Sequence, residues 1–265
     1  MLQRSKWIVG TLLIFIIIAG CELASPKDPI IVPKVEDEFY IDLWERLDGT
    51  SGRNLIVKIE SIKNEDCLNY RMDYFFSRTG NRLKISLNNI IKPTDCVPGE
   101  APVKADVDAG SLPSGTYNFD IDFKSLVENK GLLSVNSESY LLDMKSEDGI
   151  VLLREELLRV PDNTIWGYVT FQQGQDEAAA NDFLTDVQAL GKAPTYRSGY
   201  YGHFTISPLD GKVFVDQQPT TSNIKTFLLE YTDNDTVLKN LLDEYRQSYN
   251  NRLTIRLINS KGKVF

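Results

Sequence analysis

From residue 37 to residue 160 apolar and polar residues alternate with a period of two. That pattern buries one face of a strand and wets the other, as in antiparallel sheets. Tyr117-Asn118-Phe119-Asp120-Ile121-Asp122-Phe123 alternates without a break, and Leu83-Lys84-Ile85-Ser86-Leu87-Asn88 and Val103-Lys104-Ala105-Asp106-Val107-Asp108 repeat the pattern. Thr79-Gly80-Asn81, Pro98-Gly99 and Pro113-Ser114-Gly115 carry the residue types that turns require, so each is read as a break between strands. Short strands at this spacing predict a β-sandwich.

Near residue 160 the pattern changes. Residues 165–171 read as a strand. Residues 176–190 then place Ala180, Phe183, Leu184, Val187 and Leu190 on one helical face, with Gly191 as the stop. Residues 203–216 read as a hairpin turning at Pro208-Leu209-Asp210-Gly211, and 227–231 as a further strand. A second helix over 235–249 has Val237, Leu238, Leu241, Leu242 and Tyr245 as its apolar stripe, and 253–258 closes the chain as a strand. This β-α-β-β-α-β order predicts a ferredoxin-like α+β domain with its helices on one sheet face. The expected fold class is therefore mainly β plus α+β, with a sandwich domain over 37–160 and an α+β domain over 161–265. Within the first, Leu112-Pro113-Ser114-Gly115-Thr116-Tyr117 resembles the turn and tyrosine that lead into a late strand of immunoglobulin-like sandwiches. The resemblance implies an immunoglobulin-like antiparallel arrangement, although the Cys-Trp-Cys spacing of a true immunoglobulin domain is missing.

The N-terminus follows a different rule. Arg4 and Lys6 precede an apolar run over 7–19, broken only by Gly10 and Thr11. The run is shorter than the ~20 residues that span a bilayer core, and its position is that of a signal-peptide core. Ile18-Ala19-Gly20-Cys21 resembles the lipobox of bacterial lipoproteins. The resemblance implies a signal peptide over 1–20, cleavage before Cys21, and diacylglyceryl and acyl groups on that cysteine, which together anchor a protein stably. The alternative is an uncleaved anchor helix with Cys21 as a bystander. Glu22 stands where Gram-negative lipoproteins retained at the inner membrane carry aspartate, so the resemblance implies the outer membrane, on its periplasmic or its surface side. Pro26, Pro29 and Pro33 make residues 21–36 an extended tether.

Charge and cysteines narrow the function classes. The chain has 37 acidic against 29 basic residues, a net charge of −8. Loss of residues 1–20 removes Arg4 and Lys6 and no acid, which moves the charge to −10. Nucleic-acid binding depends on cationic neutralisation of phosphates, so nucleic acid is excluded as a partner. Membrane contact is expected through the lipid alone. Cys67 and Cys96 form an even pair in an exported chain and are read as a disulfide, with free thiols or half of a metal site as alternatives. With His203 the only histidine, no zinc site and no other metal site or cofactor is expected.

Catalytic patterns are sparse. A serine or cysteine hydrolase would have to use His203 as its base, and no Gly-x-Ser-x-Gly elbow precedes a helix. Asp106-x-Asp108-x-Gly110 shares only the start of a calcium-loop pattern. Asp106, Asp108, Asp120 and Asp122 alternate with apolar residues and read as a solvated sheet face, while the adjacent Glu155 and Glu156 point to opposite faces of a strand. The segment Tyr196-Arg197-Ser198-Gly199-Tyr200-Tyr201-Gly202-His203-Phe204 concentrates aromatic residues, an arginine and the sole histidine. Arg197, Tyr200, Tyr201 and His203 are the candidate ligand-binding residues, since tyrosine offers contact area at low entropy cost. The competing reading puts at least one of the two adjacent tyrosines in the core. The chain is thus expected to be a non-catalytic envelope lipoprotein that binds protein or glycan. The alternatives are a carboxylate-dependent envelope hydrolase and a structural subunit of a surface assembly.

Overall fold

Alternating residues over 39–158 fold into ten strands: β1 (Phe39–Asp48), β2 (Gly52–Cys67), β3 (Arg71–Thr79), β4 (Arg82–Ile91), β5 (Pro98–Gly110), β6 (Gly115–Phe123), β7 (Val127–Val135), β8 (Ser139–Met144), β9 (Ile150–Leu152) and β10 (Glu156–Leu158). The structure is a computed structural model that describes residues 36–49, 52–124, 126–172, 174–249 and 252–265. The expected signal peptide over 1–20, Cys21 and residues 22–35 of the expected tether lie outside the described residues. No helix among the described residues is long and apolar enough to cross a membrane.

The strands form two sheets, ordered β5-β2-β1-β9 and β10-β8-β7-β6-β4-β3. Their inner faces share one apolar core that includes Ile41, Leu43, Val57 and Ile59 from the first sheet and Ile85, Phe119, Ile121 and Leu142 from the second. Most neighbours are antiparallel, but β4 with β6 and β1 with β9 run parallel. The parallel β4–β6 pair revises the reading of Asp120 and Asp122 as solvated. Both lie on the outer face of β6, yet they are only 3% and 6% exposed. Arg82 and Lys84 of β4 reach across to them at 2.9 and 2.8 Å, and Ser86 donates to Asp122 at 2.9 Å. Beside Asp122 the Lys84 ammonium is held above its usual pKa, chiefly by that hydrogen bond.

Two local features shape this part of the chain. Pro98-Gly99, read as a break, instead begins β5. A strand's first position tolerates proline, and the break falls at 92–97. That loop is tied back to β2 by the Cys67–Cys96 disulfide, with Cα atoms 5.5 Å apart. At the start of β6 the Tyr117 hydroxyl donates to Pro113 O at 2.8 Å, fixing the corner through which the chain enters the strand.

From residue 164 the chain forms β11 (Thr164–Phe171), α1 (Glu177–Ala189), β12 (Gly199–Tyr200), β13 (Phe204–Ile206), β14 (Val213–Val215), β15 (Ile224–Glu230), α2 (Asp235–Tyr249) and β16 (Leu253–Asn259). β11 is central in an antiparallel sheet ordered β15-β11-β16, while β12, β13 and β14 form a small sheet of their own. Ala180, Phe183 and Val187 of α1 and Leu238, Leu242 and Tyr245 of α2 cover one face of the larger sheet. The other face sets Trp166, Tyr168 and Leu228 against Phe204 and Val215 of the small sheet and against Leu47, Leu158 and Val160. β11 is therefore buried on both sides. Gly167 is required there, because a β-carbon would lie 2.0 Å from Arg256 O. The described residues belong to one compact unit, and residue 160 falls within the cluster that joins the sandwich to the helical layer.

Candidate functional site

The two ends of the sandwich interior differ in chemistry. Along β1 the inward positions are Phe39, Ile41, Leu43, Glu45 and Leu47, so alternation carries one carboxylate into the core. Glu45 has no exposed surface. Its oxygens meet Arg159 Nε at 2.9 Å, Arg53 Nη1 at 3.3 Å and the Tyr140 hydroxyl at 3.0 Å. Arg159 also donates to Asn136 O, and Arg53 to Val160 O and Asp162. A buried carboxylate is tolerable only with this degree of pairing. Burial first, and the Glu45 charge second, push the Tyr140 hydroxyl far above its ordinary pKa. This end of the sandwich is closed by ions.

The opposite end is open. Phe39 and Phe123 stack across the two sheets with centroids 5.3 Å apart, at the floor of a cleft of about 550 Å³. Met72, Leu87, Ile90 and Val127 complete its apolar lining. Polar groups stand among the lining residues too: Glu38, Asn88, Asn89 and Lys124. Leu126 is 84% exposed beside the cleft, directly after the turn in which Lys124 adopts a positive φ of 48°. A concave, mostly apolar site of this size with a few polar groups has the character of a ligand pocket. Glu38 and Phe39 also line a neighbouring groove with Glu36, Asp37 and Ile62, so the chain enters the sandwich at this cleft.

The candidate residues at 197–203 form a different place. Tyr201 is 4% exposed, stacked on Phe204 at 4.7 Å, and its hydroxyl donates to Arg197 O at 2.8 Å. Arg197 itself is exposed and paired with Glu156 at 2.8 Å. Tyr200 is half-buried under the Arg154 guanidinium, 3.9 Å from its ring centroid, and Arg154 also pairs with Asp42. Burial, then the Asp42 charge, pushes the Tyr200 hydroxyl up to about 12. Burial likewise raises the Asp42 carboxyl, against the pull of Arg154.

His203 lies between Trp44 and Trp166, 4.9 and 5.5 Å from their centroids. Its Nε2 faces Glu45 O at 2.8 Å and must donate, since a carbonyl only accepts. Trp44 Nε1 donates to Gly202 O at 3.0 Å, and Lys58 sits over the Trp44 ring. Gly202 has a φ of 78°, and a β-carbon there would come within 2.9 Å of Trp44. The structure thus brings Tyr200 and His203 together on the outside of β1, places Tyr201 in the core, and leaves Arg197 with Glu156. The Tyr201 hydroxyl, the Arg197 guanidinium and His203 Nε2 thus hold internal partners, whereas the buried Trp166 Nε1 beside His203 has no hydrogen-bond partner.

Sequence reasoning did not reach the cleft. Its lining comes from β1, β3, β4, β6 and β7, and no segment carries more than a few of its residues. Among the described residues no group of three or more His, Cys, Asp or Glu side chains is placed to hold a metal. No family model, no curated protein and no solved structure matches the chain.

Proposed function

We propose that the chain is an envelope lipoprotein, lipid-anchored at Cys21 in the outer membrane, acting as a non-catalytic binding module through the apolar cleft at the Phe39 end of its sandwich. One observation carries the reading. The cleft is apolar and open between the sheets, whereas the tyrosine-rich segment at 196–204 is engaged in internal contacts. An apolar cleft favours an apolar group on the partner over a bare glycan, because burial there returns about 25 cal/mol per Å² of apolar surface. The lipobox tetrad and the proline-containing tether support the anchor.

Finer readings of the fold belong with this proposal. The Tyr117–Pro113 hydrogen bond has the form of a tyrosine corner and supports an immunoglobulin-like description of the sandwich. In the second part the three long strands stand in the order β15-β11-β16 with both helices on one face, which matches the 3-1-4 part of a ferredoxin-like layer. The hairpin of β13 and β14 lies in a separate sheet instead of supplying that layer's second strand.

Ile90→Arg tests the site, since it sets a charge in the apolar lining from a position that is not part of the fully buried core. Wild-type and variant full-length chains are titrated with the apolar fluorophore N-phenyl-1-naphthylamine. Both share the same N-terminal apolar segment, so a difference between them reports the cleft. Wild type is expected to show a saturable site at least tenfold weaker in the variant, which is about 1.4 kcal/mol. Equal titrations would exclude the cleft as the binding site.

A further inference from the structure

The polar and apolar groups at the cleft specify an occupant more narrowly than "apolar". Building on the binding-module reading, we propose that the cleft takes one acyl chain of a zwitterionic bilayer phospholipid, whose headgroup stays at the mouth. Four features point the same way. The ion cluster at Glu45 occupies the far end of the sandwich interior, whereas the end beside Phe39 is apolar and open to a ligand. The described residues begin at Glu36–Glu38, beside this mouth and in the neighbouring groove. Cys21 is only 17 residues before Glu38, so an anchored molecule keeps the mouth within about 60 Å of the bilayer, at ~3.3 Å per extended residue.

The rim supplies the third feature. Leu126 offers an exposed apolar side chain beside the mouth, and such a group enters the headgroup–acyl boundary at little cost. Charge supplies the fourth. The mouth carries both signs, with Lys124 suited to a phosphate and Glu38 suited to an ammonium group, and the neighbouring groove adds Glu36, Asp37 and Glu65 against Lys63. Acids outnumber lysines there, so an anionic lipid would meet net negative charge without a compensating positive group of its own. Inside, Phe39, Leu87, Phe123 and Val127 give a lining with no fixed hydrogen-bond requirement, and Met72 adds a flexible side chain that adapts to an alkyl chain.

The test is photo-crosslinking in bacterial cells expressing the full-length chain. Leu126→p-benzoyl-phenylalanine and Ile90→p-benzoyl-phenylalanine report the rim and the lining. Leu209→p-benzoyl-phenylalanine, on an equally exposed turn between β13 and β14, is the control. After irradiation, adducts at 126 and 90 with the mass of a phosphatidylethanolamine, at least fivefold above those at 209, are expected. Lipid adducts equal at all three positions would show general membrane proximity and overturn the proposal. Adducts to a protein at 126 or 90 would also overturn it while sustaining the binding module with a different occupant. The absence of any adduct at 126 and 90 would overturn both.

Discussion

Glu45 is the residue on which the closed end of the sandwich depends. Its two arginine partners are each about a fifth exposed, so their charges are only partly hydrated once the carboxylate is gone. Removing one member of a buried ion group typically costs 3–5 kcal/mol, because the remaining charge is left uncompensated. Glu45→Ala is therefore expected to lower unfolding free energy by about 3 kcal/mol in urea titration, toward the lower bound because Arg53 keeps Asp162. A loss below about 1 kcal/mol would mean that the cluster is not holding this end closed.

His203 adds a pH dependence. Burial lowers its pKa from the ordinary 6.5, so the folded protein binds its proton less readily than the unfolded chain does. The stability it contributes is complete above pH 6.5 and falls away as the pH drops through the lowered folded value. Wild type is expected to lose more stability than His203→Phe between pH 7.5 and pH 5. Parallel losses would show that His203 is not held neutral. Both residues bear on what a sequence discloses. The inward series Phe39, Ile41, Leu43, Glu45, Leu47 makes the buried acid legible in retrospect, as a charge at a core position. Adjacent Tyr200 and Tyr201 require that one face inward, but nothing local says which; the contact of Tyr201 with Phe204 decides it.

At the scale of elements, periodicity carries much of the structure. The alternating run at 117–123 lies within β6, the stripe over 235–249 matches α2, and residues 165–171 lie within β11. Parallel pairing of β4 with β6 escapes such reasoning, because period two says that a strand is half-buried and not which strand lies beside it. The disulfide is the element-scale device most open to experiment. It joins the end of β2 to the loop before β5 across 29 residues. A chain-entropy argument gives it about 3–4 kcal/mol. Reduction is expected to lower stability by that amount and to speed hydrogen exchange in 61–67 and 92–103 first, with 165–171 and 253–259 protected until global unfolding. Uniform loss of protection across both regions at once would contradict this local role.

For the whole molecule, the arrangement is polar in a directional sense. One end of the sandwich is closed by charge, and the other is apolar, open and continuous with the point where the chain arrives from its N-terminus. The cleft could not be read from sequence because its walls come from residues as far apart as 38 and 149. The N-terminal tetrad, by contrast, is a short linear signal and needs no fold to be read. The proposed function turns on Cys21, since the proposed anchor would bring the open end to a membrane. Its most direct test is metabolic acyl-chain labelling, with membrane fractionation, of the full-length chain and Cys21→Ala in a bacterial host. Label and membrane association are expected for wild type, with label lost in the variant. Labelling and fractionation unchanged by Cys21→Ala would contradict it.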